Sequence, residues 1–82
     1  MEILNVVLIY NGVLDHIKSF RITAKTEKNK QKQIAKAEKY FVQLIKNDNA
    51  ELTEKDIASY IEEDYYTDDN GYDLYLDWSY IG

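Results

Sequence analysis

The sequence predicts an α+β fold: two helices on one face of a small three-stranded antiparallel or mixed sheet, in the order ββααβ. Three observations predict it. Side-chain character alternates with a period of two near both ends of the chain, and it switches to a period of three to four in the middle. Asn11-Gly12 stands between the first two extended runs, and this pair suits a two-residue hairpin turn because both positions need positive φ. With 82 residues, the chain makes a single domain, 1–82. Such a chain buries only about 60–65 % of its unfolded surface, so large side chains must fill a thin core. Eight Tyr, two Phe and one Trp supply them.

The first strand is Ile3 to Tyr10, apolar on both parities except at Asn5. Leu4, Val6, Leu8 and Tyr10 share one face, and Ile3, Val7 and Ile9 the other. If the helices cover only one face, Ile3, Val7 and Ile9 are left toward water, where they could form the contact of a symmetric homodimer or be shielded by neighbouring Tyr and Phe side chains. A second strand runs from Val13 to about Thr23. Its apolar residues change parity between Val13/Ile17 and Leu14/Phe20/Ile22, which a bulge near His16 to Ser19 would reconcile.

Thr26 then caps a helix reaching about Asn47. Ile34, Ala37, Phe41, Leu44 and Ile45 form its buried stripe. Lys28, Lys32, Lys36 and Lys39 make a basic outer face, and the polar turns from Glu27 to Gln33 are expected to project or fray. The second helix has the fuller start signal. Thr53 is its N-cap, Asp56 completes a capping box, and Leu52 with Ile57 forms a hydrophobic staple. It should stop near Asp64. Tyr65 to Gly71 is either a loop or a short strand, and Asn70-Gly71 turns into the last strand. In that strand Tyr72, Leu74, Leu76, Trp78 and Tyr80 alternate with Asp73, Tyr75, Asp77 and Ser79. With the first strand central, the sheet order is 2-1-3.

The chain has no cysteine and one histidine, so it offers neither a disulfide framework nor a thiolate nucleophile. His16 beside Asp15 has no serine, cysteine or second histidine placed by a motif to work with it. There is no phosphate-binding glycine loop, no zinc-binding His-Glu-x-x-His and no Glu-x-Lys triplet of a metal-dependent nuclease. Asp68, Asn70, Gly71 and Asp77 echo a calcium loop. Aligning Gly71 with its invariant glycine puts Tyr66 at the first ligand position, and the following strand is wrong for that motif. The expectation is a protein without catalysis, metal or cofactor. Ile3 to Tyr10 is too short for a membrane span and lacks the basic lead of a secretory signal, which points to the cytoplasm.

Charge is the informative feature. The net charge is −5, yet residues 1–50 carry nine of the ten Lys/Arg, and residues 51–82 carry ten of the fifteen Asp/Glu. The stretch Glu62 to Ile81 has no basic residue and interleaves its acids with six aromatic side chains. Glu62, Glu63, Asp64, Tyr65, Tyr66, Asp68, Asp69, Asp73, Tyr75 and Asp77 are the candidate partner-binding residues. Such a surface suits a larger protein with a basic site, such as a nuclease or another nucleic-acid-handling complex. Carboxylates there compete for the Lys and Arg that neutralise phosphates, in partial mimicry of a nucleic acid. Size and charge fit a small inhibitor of the kind phages and mobile elements encode. The bland alternative is a solvated edge whose acids prevent strand aggregation. A different class is a nucleic-acid binder using Lys28, Lys32, Lys36 and Lys39, which the net acidity of the chain disfavours. A plain structural homodimer is the third.

Overall fold

The computed structural model describes residues 2–80; Met1, Ile81 and Gly82, and with them the end of the acidic stretch at Ile81, lie outside the described residues. The order of elements is β1 (Glu2–Tyr10), β2 (Val13–Ile22), α1 (Glu27–Asp48), α2 (Glu54–Glu63), β3 (Tyr65–Thr67) and β4 (Tyr72–Tyr80). The fold is therefore α+β with ββααββ order. Its sheet is four-stranded and antiparallel throughout, in the order β2-β1-β4-β3. The expected three-stranded 2-1-3 sheet is corrected by one strand. Tyr65–Thr67 is a short edge strand against Tyr75–Asp73, and β1 remains central between β2 and β4.

Burial on β1 has a period of two. Leu4, Val6 and Leu8 are buried, while Ile3, Asn5, Val7 and Ile9 are only half-buried. The buried row joins Leu74 and Leu76 of β4 and Ile22 of β2 in one cluster with Ala37, Phe41 and Ile45 of α1 and Ile57 of α2. Both helices thus lie on the same face. Phe41, fully enclosed, is the largest of these helix side chains. Of the alternating row in β4, Leu74 and Leu76 are buried, Tyr72 is half-buried, and Trp78 and Tyr80 are exposed. At that end the strand faces the polar first turns of α1, across a cleft lined by Glu2, Lys30, Ile34, Trp78 and Tyr80.

Those first turns are held to the sheet. Lys30 pairs with Glu2 at 3.1 Å. Gln33 Oε1 accepts from the N–H groups of Thr23 and Ala24, and Gln33 Nε2 donates to Thr23 Oγ1. The polar start that the sequence leaves projecting is a clasp on the end of β2. The capping signals act as read. Thr26 accepts from Asn29 N–H, and Thr53 and Asp56 form the reciprocal box. Leu52 and Ile57 both pack into the core. Asp64 ends α2 in the left-handed conformation, φ 56°, a geometry aspartate tolerates better than most residues.

The bulge in β2 sits slightly earlier than expected. Leu8 pairs with His16 and Ile9 with Leu14, so Asp15 is the extra residue, and it brings Leu14 and Ile17 to the same face. Asn11 and Gly12 take φ 52° and 78° in the hairpin turn. This turn is tied to the β3–β4 turn, since Asn11 N–H donates to Gly71 O at 2.9 Å. Gly71 has φ +83° and a Cβ there would collide with the Asn11 side chain, whereas a Cβ at Gly12 meets nothing.

Two substitutions test this packing in urea unfolding. Phe41→Ala is expected to destabilise by about 3–5 kcal/mol, a large part of the total for a domain this small. Gly71→Ala should lose more stability than Gly12→Ala, because strain and collision add at position 71 and only strain acts at position 12.

Candidate functional site

With both helices on one side, the other face of the sheet is open. The register sets its residues in rungs. Leu14, Ile9, Asp73 and Thr67 form the first. Ile17, Val7, Tyr75 and Tyr65 form the second. Ser19, Asn5 and Asp77 follow, and Arg21, Ile3 and Ser79 complete the face. Its centre is apolar and phenolic, and Asp73 and Asp77 flank Tyr75 on the β4 side. Alternate residues on a strand are about 6.7 Å apart, so the two carboxylates stand on the order of 13 Å apart with the phenol between them.

Local contacts fix this arrangement. Asp73 accepts from Thr67 Oγ1 at 2.6 Å and from the Tyr65 hydroxyl at 3.2 Å. The Tyr65 and Tyr75 rings lie 4.8 Å apart, tilted by 35°. Partial desolvation, then Tyr65 and Asp73, holds the Tyr75 phenol above its usual range, so it is a neutral hydrogen-bonding group at physiological pH. On the third rung Ser19 Oγ donates to Asn5 Oδ1 at 2.6 Å, and Asn5 Nδ2 donates to Ser79 Oγ at 2.7 Å. A shallow hollow of about 250 Å³ lies among Val7, Tyr75, Leu76 and Asp77. Among the described residues the one side-chain ion pair is Lys30–Glu2. The acids of the C-terminal third are not neutralised by the lysines of the described chain.

The predicted site residues divide into three groups. Tyr65, Asp73, Tyr75 and Asp77 come together on the open face, beside Ile3, Val7 and Ile9. Glu62, Glu63 and Asp64 are exposed at the end of α2, and Asp69 is exposed in the β3–β4 turn. Tyr66 and Asp68 act within the fold. Tyr66 is 2 % exposed, because on a three-residue strand the residue opposite Leu74 must face the helices. It belongs to the core, not to a contact surface. Its hydroxyl donates to Asp48 at 2.6 Å. Asp68 accepts from the N–H groups of Asn70 and Tyr72 and shapes the turn. Lys28, Lys32, Lys36 and Lys39 are exposed on α1, away from the buried Ala37–Phe41–Ile45 stripe. The lysine strip therefore lies on the side of the molecule opposite Asp73 and Asp77. His16 is exposed on β2, 2.7 Å from the Tyr40 hydroxyl. Among the described residues no group of three or more His, Cys, Asp or Glu is arranged to hold a metal ion, and no helix is long and apolar enough to cross a membrane.

Sequence reasoning missed Ile17, Leu14 and Thr67 as members of this face. The bulge position decides the first two, and no residue type marks it. Thr67 becomes part of the face only because its strand pairs with β4. Half-buried Glu38 was also not singled out; burial raises its carboxyl above the usual range, and Asp64 adds to the shift.

Asp48 and Asp68 form a second carboxylate contact, joining the end of α1 to the β3–β4 turn. Burial raises the Asp48 carboxyl above the usual range and the hydrogen bond to Asp68 adds to this, while the Tyr66 hydroxyl opposes it. Asp68 is held below that range by the hydrogen bond from Asp48, helped by the turn N–H groups. The Tyr66 hydroxyl donates to Asp48, and when Asp48 carries its proton it donates to Asp68. Because the folded state holds the Asp48 proton more firmly than the unfolded chain, its contribution is complete below about pH 4 and is lost as pH rises through the folded value. Asp48→Asn keeps both hydrogen bonds with a neutral amide. It is expected to stabilise the fold at neutral pH, with the gain vanishing in acid, as read from urea midpoints across pH.

No family model matches the sequence, and neither a curated protein nor a solved structure matches the chain.

Proposed function

We propose that this is a non-enzymatic protein-binding domain of the cytoplasm that docks through the open face of its sheet onto a basic surface of a larger partner. The observation that carries this reading is the Asp73–Tyr75–Asp77 row beside Val7 and Tyr65. It combines two carboxylates, Asp73 held by Thr67 and Tyr65, with phenols and an apolar centre on one surface, and no lysine of the described chain is paired to it. Tyrosine supplies contact area with little rotamer entropy to lose, and the apolar rung gives the interface a core that excludes water. The carboxylates select cationic partners and speed their approach. A cationic site of that kind is what a nucleic-acid-handling protein presents to phosphates. Occupying it would make the domain an inhibitor, in keeping with its size and with a phage or mobile-element origin. The acids on α2 and in the β3–β4 turn add to the field without belonging to the contact row.

The test is a competition. A basic DNA-binding protein carrying labelled duplex DNA is titrated with the domain in low and moderate salt. Displacement is expected, weakening as salt rises. Asp77→Lys with Tyr75→Ala should reduce it by about tenfold or more, since two central contacts at about 1–2 kcal/mol each are removed. Lys32→Glu with Lys36→Glu should leave it intact. Direct binding of the labelled DNA by the domain alone, abolished by the lysine changes, would refute this reading and favour the helix.

A further inference from the structure

The second half of β4 is an edge. β3 pairs with β4 only from Asp73 to Tyr75, and the next ladder bond on that side, Leu76 N–H to Asp64 O, is the last. Residues of an antiparallel strand bond alternately to its two neighbours. Leu76 bonds away from β1, so Trp78 and Tyr80 turn their N–H groups the same way, and Leu76 and Trp78 their C=O groups. Asp64 cannot take the Leu76 carbonyl, because its own N–H serves the last turn of α2. No other described strand lies on that side of β4.

A cleft borders this edge on the helix side. Glu27, Gln31, Ile34 and Glu38 recur at three- and four-residue spacing and form one stripe of α1. The first three face Trp78 and Tyr80 across a space of about 300 Å³. Burial, and after it the Asp64 carboxylate, raises the Glu38 carboxyl, which places Glu38 beside Asp64 at the end of α2. Trp78 and Tyr80 are 37 % and 73 % exposed. Lys30, the cation lining the cleft, is engaged by Glu2 at 3.1 Å. Glu27, Glu38, Glu63 and Asp64 form no ion pair among the described residues. The last turn of α2 carries no basic residue, so the negative end of its dipole adds to the same field.

We propose that a basic extended segment of a partner protein adds as a strand to β4 at Leu76–Tyr80, with an arginine or lysine laid over Trp78 into the cleft. The backbone of the edge selects an extended form, since it offers alternating acceptors and donors to a neighbouring strand. Charge complementarity selects a basic sequence, since acids from α1 and α2 flank the edge and the cleft. The residue facing Trp78 in an added strand points to the same side of the sheet. There a cation can stack on the indole and reach toward Glu27. The site is separate from the open face, because Tyr75 and Asp77 point to the other side of β4, and it stands whether or not that face has a partner.

The probe is a short capped peptide alternating arginine with valine, titrated into the full chain. Trp78 is the only tryptophan, so its emission reports on the edge directly. A saturable change that weakens with salt is expected, together with slowed hydrogen exchange at the Trp78 and Tyr80 amides. Glu27→Gln with Glu63→Lys, both at exposed positions, should weaken binding by about tenfold. Circular dichroism checks that the variant is folded. The same peptide N-methylated at every second amide should bind only when the methyl groups fall on the side away from β4. Absence of binding overturns the proposal. So does binding that leaves the Trp78 and Tyr80 amides unprotected or ignores both N-methylation patterns, since the peptide would then sit elsewhere, and docking on the open face would be untouched by that result.

Discussion

The packing of Phe41, Ala37 and Ile45 onto the Leu4–Val6–Leu8 row of β1 is the contact on which the rest of the structure depends. A strand has two faces, and a shift by one residue exchanges them completely. Once the helix stripe selects that row, Val7 and its neighbours must face outward. The register of β1 with β4 then places Tyr75 beside Val7 and aligns Asp73 and Asp77 with Ile9 and Asn5. The acidic face follows from how the core is built. A side chain at Asp77 therefore changes the surface while leaving the core contacts alone, and one at Leu76 does the reverse.

The same packing turns an asymmetry along the sequence into one in space. The lysines of α1 share a helix with the core stripe but lie away from it, so the sheet is on one side of the helix and the basic strip is on the other. Asp73 and Asp77 of β4 occupy the far side of that sheet. Such a molecule presents two surfaces of opposite sign to its surroundings, and its orientation during an encounter is set before contact is made. The sheet and the thin core under it are what separate them.

Much of the architecture was legible because local chemistry and global packing agree. The Thr53–Asp56 box, the Asn11-Gly12 turn, the Ala37–Phe41–Ile45 stripe and the alternation of β1 each point to the element that forms. The misreadings share a cause. Asp15 becomes a bulge only because Leu8 and Ile9 on the neighbouring strand set the pairing, and nothing in the residue itself signals it. Tyr65–Thr67 is too short to show a period, so the assignment of Tyr66 to the core waited on its partner Leu74. Gln33 looked like an idle surface residue until the end of β2 came within reach of its amide. The candidate site was legible in composition, through its acids and tyrosines, but which of them share a surface is a property of tertiary register. That is why Tyr66 and Asp68 dropped out and Ile17 entered.

The central position of β1 has a consequence for how the chain assembles. Its β4 neighbour is the last element in sequence order, and contacts such as Asn5 with Ser79 span 74 positions. Translation delivers β1 and β2 long before β4 leaves the ribosome, so the nascent hairpin carries its apolar row uncovered while both helices are still being made. Loop closure over such a separation must precede the contacts that reward it, which places folding in the slower range for domains of this size. Any factor that shields Leu4, Val6 and Leu8 during that interval acts on yield and not on the stability of the finished fold.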